Sequence, residues 1–181
     1  MLKIGIIGQQ CAGKTTAANF MSELFDDYCF VKFADPIYAT LHALNQKKNR
    51  AFMQEFGDFA KKHFGEMIFV ECFKRTILTL EEERKHDINY KYAIITDDIR
   101  RIYEFDMCKE LGFKIFSIDA PVDLRKKRAE NLGLEFLENH NSETEIPKII
   151  YKSNFMVIDK GLTKEQLKDQ CIKAVKQFNL K

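Results

Sequence analysis

The sequence predicts a three-layer α/β protein in which helices flank a five-stranded, mostly parallel sheet. Three observations lead to it. Short apolar runs bounded by turn residues alternate with stretches of helical periodicity along the whole chain. A glycine-bearing turn with a lysine and a hydroxyl residue separates the first apolar run from the first helical stretch. Acidic and basic residues then fall just after the later apolar runs, where open α/β sheets bind their ligands. Strands joined through helices require right-handed crossovers, which produce a parallel sheet covered on both faces.

Each element has its own justification. Leu2–Ile7 is an apolar run ending at Gly8, the pattern of a buried strand. Lys14–Phe25 carries Ala17, Phe20, Met21 and Leu24 at helical spacing. Cys29–Ala34 reads as a second strand, closed by Asp35 and Pro36, and proline's fixed φ suits a helix's first turn. The middle of the chain is helical. One apolar stripe runs through Phe52, Phe56, Phe59, Ala60 and Phe64, another through Phe69, Val70, Phe73, Ile77 and Leu80, and both are read as core. The polar run Glu81–Asp87 is read as a solvated helix end and loop. Tyr92–Thr96 is a third strand, Ile99–Leu111 a helix stopped by Gly112, and Phe113–Ile118 a fourth strand. Val122–Asn131 is a basic helix and Phe155–Ile158 a fifth strand. The last helix opens at Thr163, where Gln166 completes a capping box, and runs to Phe178.

Composition bounds the functions. A chain of 181 residues without repeats or Pro/Gly-rich linkers predicts a single domain over residues 1–181. At 45% hydrophobic and 31% charged it is too apolar for disorder. The 29 basic and 27 acidic side chains leave a charge of +2, which gives no support to a nucleic-acid coat. No apolar run approaches the ~18–20 residues of a membrane span, and the first residues lack the apolar stretch of a signal peptide. Five scattered cysteines without a CxxC fit neither a disulfide framework nor a zinc site, so reduced thiols in a cytoplasm are expected. His42, His63 and His86 have no spacing that suggests a metal.

Gly8-Gln9-Gln10-Cys11-Ala12-Gly13-Lys14-Thr15 is an unbroken match to GxxxxGK(S/T). The two glycines permit backbone angles and close approach that side chains would block, so successive N–H groups can face a phosphate. The helix that follows adds its positive end. Lys14 reaches the β- and γ-phosphates and the Thr15 hydroxyl can ligate Mg²⁺. Cys11 stands at an unspecified position and is read as a small space-filler.

The strand ends supply the rest. Asp97 is the first acid after the third strand and is placed to hold Mg²⁺ or its water; Asp98 is either a second acid or a helix cap. Neither NKxD nor DxxG occurs, which argues against a GTPase switch. Arg100 and Arg101 follow the third strand. Arg125 and Arg128 share one face of the basic helix, either as lid charge or as a solvated surface, and their place at the strand ends favours the lid. Asp35, at the end of the second strand, either takes an acceptor's proton, orients the acceptor, or caps the helix opened by Pro36.

In this order, GQQCAGKTT, FADP, FGDFAKKHFGEMIF, TDDIRR, HNSE and FMVIDKGLTKEQL, the chain resembles the bacteriophage deoxynucleoside monophosphate kinase family over nearly its whole length. The resemblance implies a P-loop kinase fold with a helical acceptor-binding segment at about residues 36–84 and a short lid at about residues 120–150. It implies transfer of the ATP γ-phosphoryl group, with Mg²⁺, to a deoxynucleoside monophosphate, in the host cytoplasm if the chain is phage-encoded. Carried over by position, Gly8, Gln10, Cys11, Ala12, Gly13, Lys14, Thr15 and Thr16 cradle the donor phosphates, and Lys160 and Gly161 fall where related kinases contact adenine. Lys14, Arg100, Arg125, Arg128 and Asp35 would carry catalysis, and Thr15 with Asp97 the metal. Asp35, Lys62, Arg75, Arg100, His140, Ser142 and Glu143 would serve the acceptor.

The chain departs from the family in places. Lys62 stands where the family usually has arginine, which keeps the charge but loses the bidentate fork. Arg75 either compensates or is a solvated helix position, and the Asp98–Glu104 segment lacks the family's proline. Related enzymes can be dimers, so a homodimer is within the resemblance. Two alternatives stand beside it. One is a kinase for dephospho-coenzyme A or a hydroxymethylated DNA base, in which Asp35 acts as a true base. The other is a non-catalytic ATP-binding regulator, against which the arginines at two strand ends argue.

Overall fold

A computed structural model describes residues 1–85, 91–136 and 144–179. In chain order its first elements are β1 (Leu2–Ile7), α1 (Lys14–Ser22), β2 (Asp27–Phe30), α2 (Asp35–Ala43), α3 (Arg50–Phe64) and α4 (Ile68–Arg84). They are followed by β3 (Tyr92–Thr96), α5 (Ile102–Glu110), β4 (Lys114–Asp119), α6 (Val122–Asn131), α7 (Ile146–Ile149), β5 (Phe155–Ile158) and α8 (Lys164–Asn179). The chain divides into two compact units, Met1–Phe30 with Asn89–Lys181, and Val31–Ile88.

The first unit is the expected sheet. Its order is β2-β3-β1-β4-β5, with every pairing parallel. The central strands are the apolar runs of the sequence: Ile4, Ile6, Ile94, Ile95, Ile115 and Phe116 are fully buried. On one face Ala17, Ala18 and Met21 of α1 pack with Leu167, Cys171, Ala174 and Phe178 of α8 over Ile4, Ile6, Phe116 and Ile118. On the other, Gly5 leaves the room that the tips of Ile99 and Ile115 fill. The chain leaves β1 towards β2 on one side and leaves β4 towards β5 on the other. The switch point where such sheets bind ligands therefore falls between β1 and β4, at their carboxyl ends.

Several boundaries differ from the sequence expectation, each for a local reason. The second strand is Asp27–Phe30 instead of Cys29–Ala34, because pairing with β3 runs from Asp27↔Tyr92 to Phe30↔Ile95 and stops there. Val31 and Phe33, which lengthened the apolar run, are buried outside the sheet. The first helix ends at Ser22 instead of Phe25, where Leu24 and Phe25 donate to Met21 and Ser22 in a tightened last turn. The helix after β3 starts at Ile102 instead of Ile99, because Arg101 is extended (φ −115°, ψ 154°). The fourth strand runs one residue later, to Asp119, and α7 with the 3-10 turn Ile150–Lys152 was not anticipated. The final capping box forms as read: Thr163 N–H donates to Gln166 Oε1 at 2.9 Å and Gln166 N–H to Thr163 Oγ1 at 3.2 Å.

The second unit is helical. Pro36 lies in the first turn of α2, whose Ile37 and Leu41 are buried. Asn49 caps α3 by accepting the Phe52 N–H at 3.1 Å, and Gly65 stops that helix at a φ of 100°. The stripe on α4 is core at Val70, Phe73 and Ile77, with Phe73 stacked on Phe33 at 4.1 Å. The stripe on α3 is core at Ala60, but Phe59 and Phe64 are 53% and 68% exposed, so it is not the continuous core face expected.

Candidate active site

The carboxyl end of β1 delivers Gly8 to the switch point. A methyl group there would lie 2.9 Å from the Ile118 carbonyl oxygen and 3.2 Å from Ala12 Cβ, so the close approach of loop and β4 requires glycine. The Ala12 N–H then donates back to Gln9 O at 3.1 Å. Cys11 has a φ of 60° and Gly13 a φ of 104°, both left-handed. A cysteine at such an angle costs about 1–2 kcal/mol, which the closed loop around it sustains. Left-handed turns of this kind point successive N–H groups to the concave side and form an anion cradle. Helix α1 begins at Lys14 and adds its positive end.

Three side chains complete the cradle. Lys14 Nζ donates to Gly8 O at 2.7 Å and Gln9 O at 2.9 Å, which folds the ammonium onto the loop. Thr15 Oγ1 donates to Asp97 Oδ2 at 2.8 Å across the sheet top. Asp97 is 6% exposed, and its Oδ1 meets no hydrogen-bond donor among the described residues. A hydroxyl and a buried carboxylate would together offer hard oxygen donors of the kind that Mg²⁺ takes from a protein. The residues fit that ion.

The loop after β3 is held by two glutamates. Glu104 Oε2 accepts the Arg100 N–H at 2.7 Å and the Arg101 N–H at 3.0 Å. Glu145 accepts the Ile102 N–H at 2.8 Å and the Arg101 guanidinium at 3.1 Å. These bonds take up the N–H groups at the start of α5 and leave Asp98 to accept the Thr96 hydroxyl at 2.9 Å, so Asp98 is not the cap of that helix. Burial pushes the Glu104 carboxyl up to about 7, with the Asp98 charge adding to the rise and the two N–H bonds opposing it. Glu145 is held below the ordinary value, chiefly by the Ile102 N–H.

The basic helix α6 divides its two arginines. Arg125 is 4% exposed; its Nε donates to Ala120 O at 3.1 Å, and the guanidinium lies 5.3 Å from the Phe136 ring centre. It anchors α6 to the end of β4, and the open lid charge expected of it is not what this position presents. Arg128 is half-buried. Its Nη2 donates to Asp159 Oδ2 at 2.8 Å and its Nη1 reaches Ala12 O of the phosphate loop at 3.5 Å. Gln10 ties the same loop to the segment after α6, donating to Glu135 O at 2.7 Å. Asp159, 1% exposed, accepts the Gly161 and Leu162 N–H groups on its other oxygen at 2.9 and 2.8 Å. Lys160 and Gly161 are therefore on a turn folded around a buried carboxylate.

The structure brings Gly8, Gln10, Cys11, Ala12, Gly13, Lys14, Thr15, Thr16, Asp97 and Arg128 to one end of the sheet. In the helical unit, Asp35 opens α2 and accepts the Lys32 N–H at 2.7 Å. Burial raises its pKa from the usual aspartate value, against the pull of that N–H and of the Lys32 charge. Lys62 lies in the last turn of α3 and Arg75 on α4, both exposed. His86, His140, Ser142 and Glu143 lie outside the described residues. Sequence reasoning passed over Glu104, Glu145 and Asp159. Asp159 carried a signal, since it is the first acid after β5 as Asp97 is after β3.

The fold is that of the P-loop kinases, and a loop of the GxxxxGK(S/T) pattern lies at the end of β1. No protein-family model matches the chain. Among curated proteins, the dephospho-CoA kinase of Clostridium tetani is 25% identical over 158 residues, which cover 84% of this chain and 65% of that protein's length. Among solved structures, the shikimate kinase of Aquifex aeolicus superposes with a TM-score of 0.56 at 17% identity, over 99% of each chain. The APS kinase of Mycobacterium tuberculosis, solved with AMPPNP and APS, superposes with a TM-score of 0.58 at 10% identity, over 97% of each chain. Among the described residues no helix is long and apolar enough to cross a membrane.

Proposed function

We propose that the chain is an ATP- and Mg²⁺-dependent phosphotransferase acting on a small, phosphate-bearing nucleotide, a deoxynucleoside monophosphate in the first instance. The observation that carries the reading is the Thr15–Asp97 contact at 2.8 Å beside a loop onto which Lys14 is folded. In this reading the loop amides and Lys14 bind the donor's phosphates, and Thr15 and Asp97 hold the cation. The cation, when bound, neutralises charge on the β- and γ-phosphate oxygens. Arg100 and Arg128 supply further positive charge to the transferring group, while Arg125 fixes the helix that carries Arg128. Lys160 and Gly161 border the donor's base. Asp35, Lys62 and Arg75 of the helical unit serve the acceptor.

A second acceptor, dephospho-coenzyme A, is favoured by the Clostridium tetani relative and by the raised pKa of Asp35. A phosphate monoester is already ionised near neutral pH and needs no strong base, whereas a ribose hydroxyl does. One coupled assay of ADP release separates the readings, run against the common deoxynucleoside monophosphates and dephospho-coenzyme A. Stimulation by a monophosphate, lost about a hundredfold or more in Lys14→Ala, is the expected result. Turnover with dephospho-coenzyme A alone, abolished in Asp35→Asn, would transfer the proposal to that acceptor. Absence of ADP release with every one of them, by a chain that still binds ATP, would leave a regulator.

A further inference from the structure

We propose that Asp159 is a positioning residue of the donor site, folding the loop after β5 with one carboxylate oxygen and holding Arg128 against the phosphate loop with the other. The inference rests on the donor-nucleotide reading above and adds to it a residue that touches no substrate.

Asp159 ties its own turn to the end of β4 and to α6. Its own N–H donates to Asp119 O at 2.8 Å, the last bond of the β4–β5 ladder. Its Oδ1 gathers the Gly161 and Leu162 N–H groups, which sets the turn through Lys160 and Gly161, where Gly161 has a φ of 108°. Its Oδ2 receives Arg128 Nη2 at 2.8 Å, and the same guanidinium reaches Ala12 O. A carboxylate that is 1% exposed must have its charge matched. Here the matching group is a half-buried arginine on the helix that lies against the phosphate cradle. A bidentate-capable guanidinium needs such a partner to keep one orientation, because an unheld arginine gives up its rotamer entropy only on binding. Asp159 thus supplies in advance the ordering that a donor nucleotide would otherwise impose on Arg128.

A buried aspartate that only caps its own turn would make the same two N–H bonds, so the test must separate the oxygens. Asp159→Asn does this. The amide oxygen can still accept from Gly161 and Leu162, while the amide nitrogen faces Arg128 donor to donor. ATP binding is measured by calorimetry in the whole chain for the wild type, Asp159→Asn, Arg128→Ala and the double variant. The expected result is binding weakened about tenfold in each single variant, with the double variant no weaker than either. Equal binding by wild type and Asp159→Asn would overturn the inference alone. So would the same further loss from Asp159→Asn when Arg128 is already alanine, since the effect would then belong to the turn. No ATP binding by the wild type would overturn the donor reading itself, and the inference with it.

Discussion

Asp97 and Thr15 are 82 residues apart in sequence and in contact at 2.8 Å, and the contact separates two ways of binding a nucleotide. Under the proposed function the amide cradle and Lys14 recognise phosphate directly, whereas the hydroxyl–carboxylate pair recognises it through a cation. Asp97→Asn keeps an oxygen for Thr15 but removes the charge. The proposed variant should bind ATP in the presence of EDTA as the wild type does and lose the tightening that added Mg²⁺ gives, read by calorimetry with and without the ion. Unchanged Mg²⁺ dependence would remove Asp97 from the metal site. At this scale much was legible beforehand. The phosphate loop carries its geometry in eight consecutive residues, and Asp97 was reachable because the first position after a buried strand must lie at the sheet's edge. Arg125 and Arg128 were not distinguishable, since their shared helix face says nothing of Phe136 or Asp159. Asp159 meets Arg128 across 31 residues, a pairing that no local pattern encodes.

At the scale of elements, the entry into α5 is the most consequential departure from the periodic pattern. Ile99 is fully buried and belongs to the apolar rhythm, so the helix was expected to include it. Glu104 and Glu145 instead take the N–H groups of Arg100, Arg101 and Ile102, and the helix starts later. This arrangement has a pH signature. The folded state holds the Glu104 proton up to about pH 7, while an unfolded glutamate releases it near the ordinary 4.5. Between those values the folded state binds more protons, so this group makes stability fall as pH rises. The drop is on the order of 3 kcal/mol from pH 4.5 to pH 7 and above. Glu104→Gln retains an accepting oxygen and loses the titration. Urea unfolding of that variant should show a flatter stability profile across this window; an unaltered slope would exclude Glu104 as its source. The second strand illustrates the opposite limit. Cys29–Ala34 looks like a strand because apolar residues crowd there, yet an edge strand needs burial on little of its length, and Val31 and Phe33 are buried elsewhere.

For the whole molecule, strand order was partly legible: alternation demanded a parallel sheet, and no residue told which strands would be neighbours. The chain divides into a sheet unit and a helical unit, Val31–Ile88. Its exact contents follow from the burial of α4, while the exposure of Phe59 and Phe64 on α3 was hidden by a pattern that reports periodicity and not partners. The sheet is open, and openness has a colloidal consequence. Its two outer strands, β2 and β5, are four residues each, and both show apolar side chains to solvent: Tyr28 and Phe30 on one, Met156 and Ile158 on the other. Short edges restrain lateral pairing between molecules, but β5 carries no charge to repel it and β2 only Asp27 at its start. Ile158, 56% exposed, lies on the outermost strand, and Ile158→Lys should raise the protein concentration at which light scattering appears on heating, with little effect on the unfolding midpoint. An unchanged scattering threshold would place the sticky surface elsewhere. On this expectation the two outer strands, and not the strand ends that carry the candidate site, limit how concentrated the protein can become.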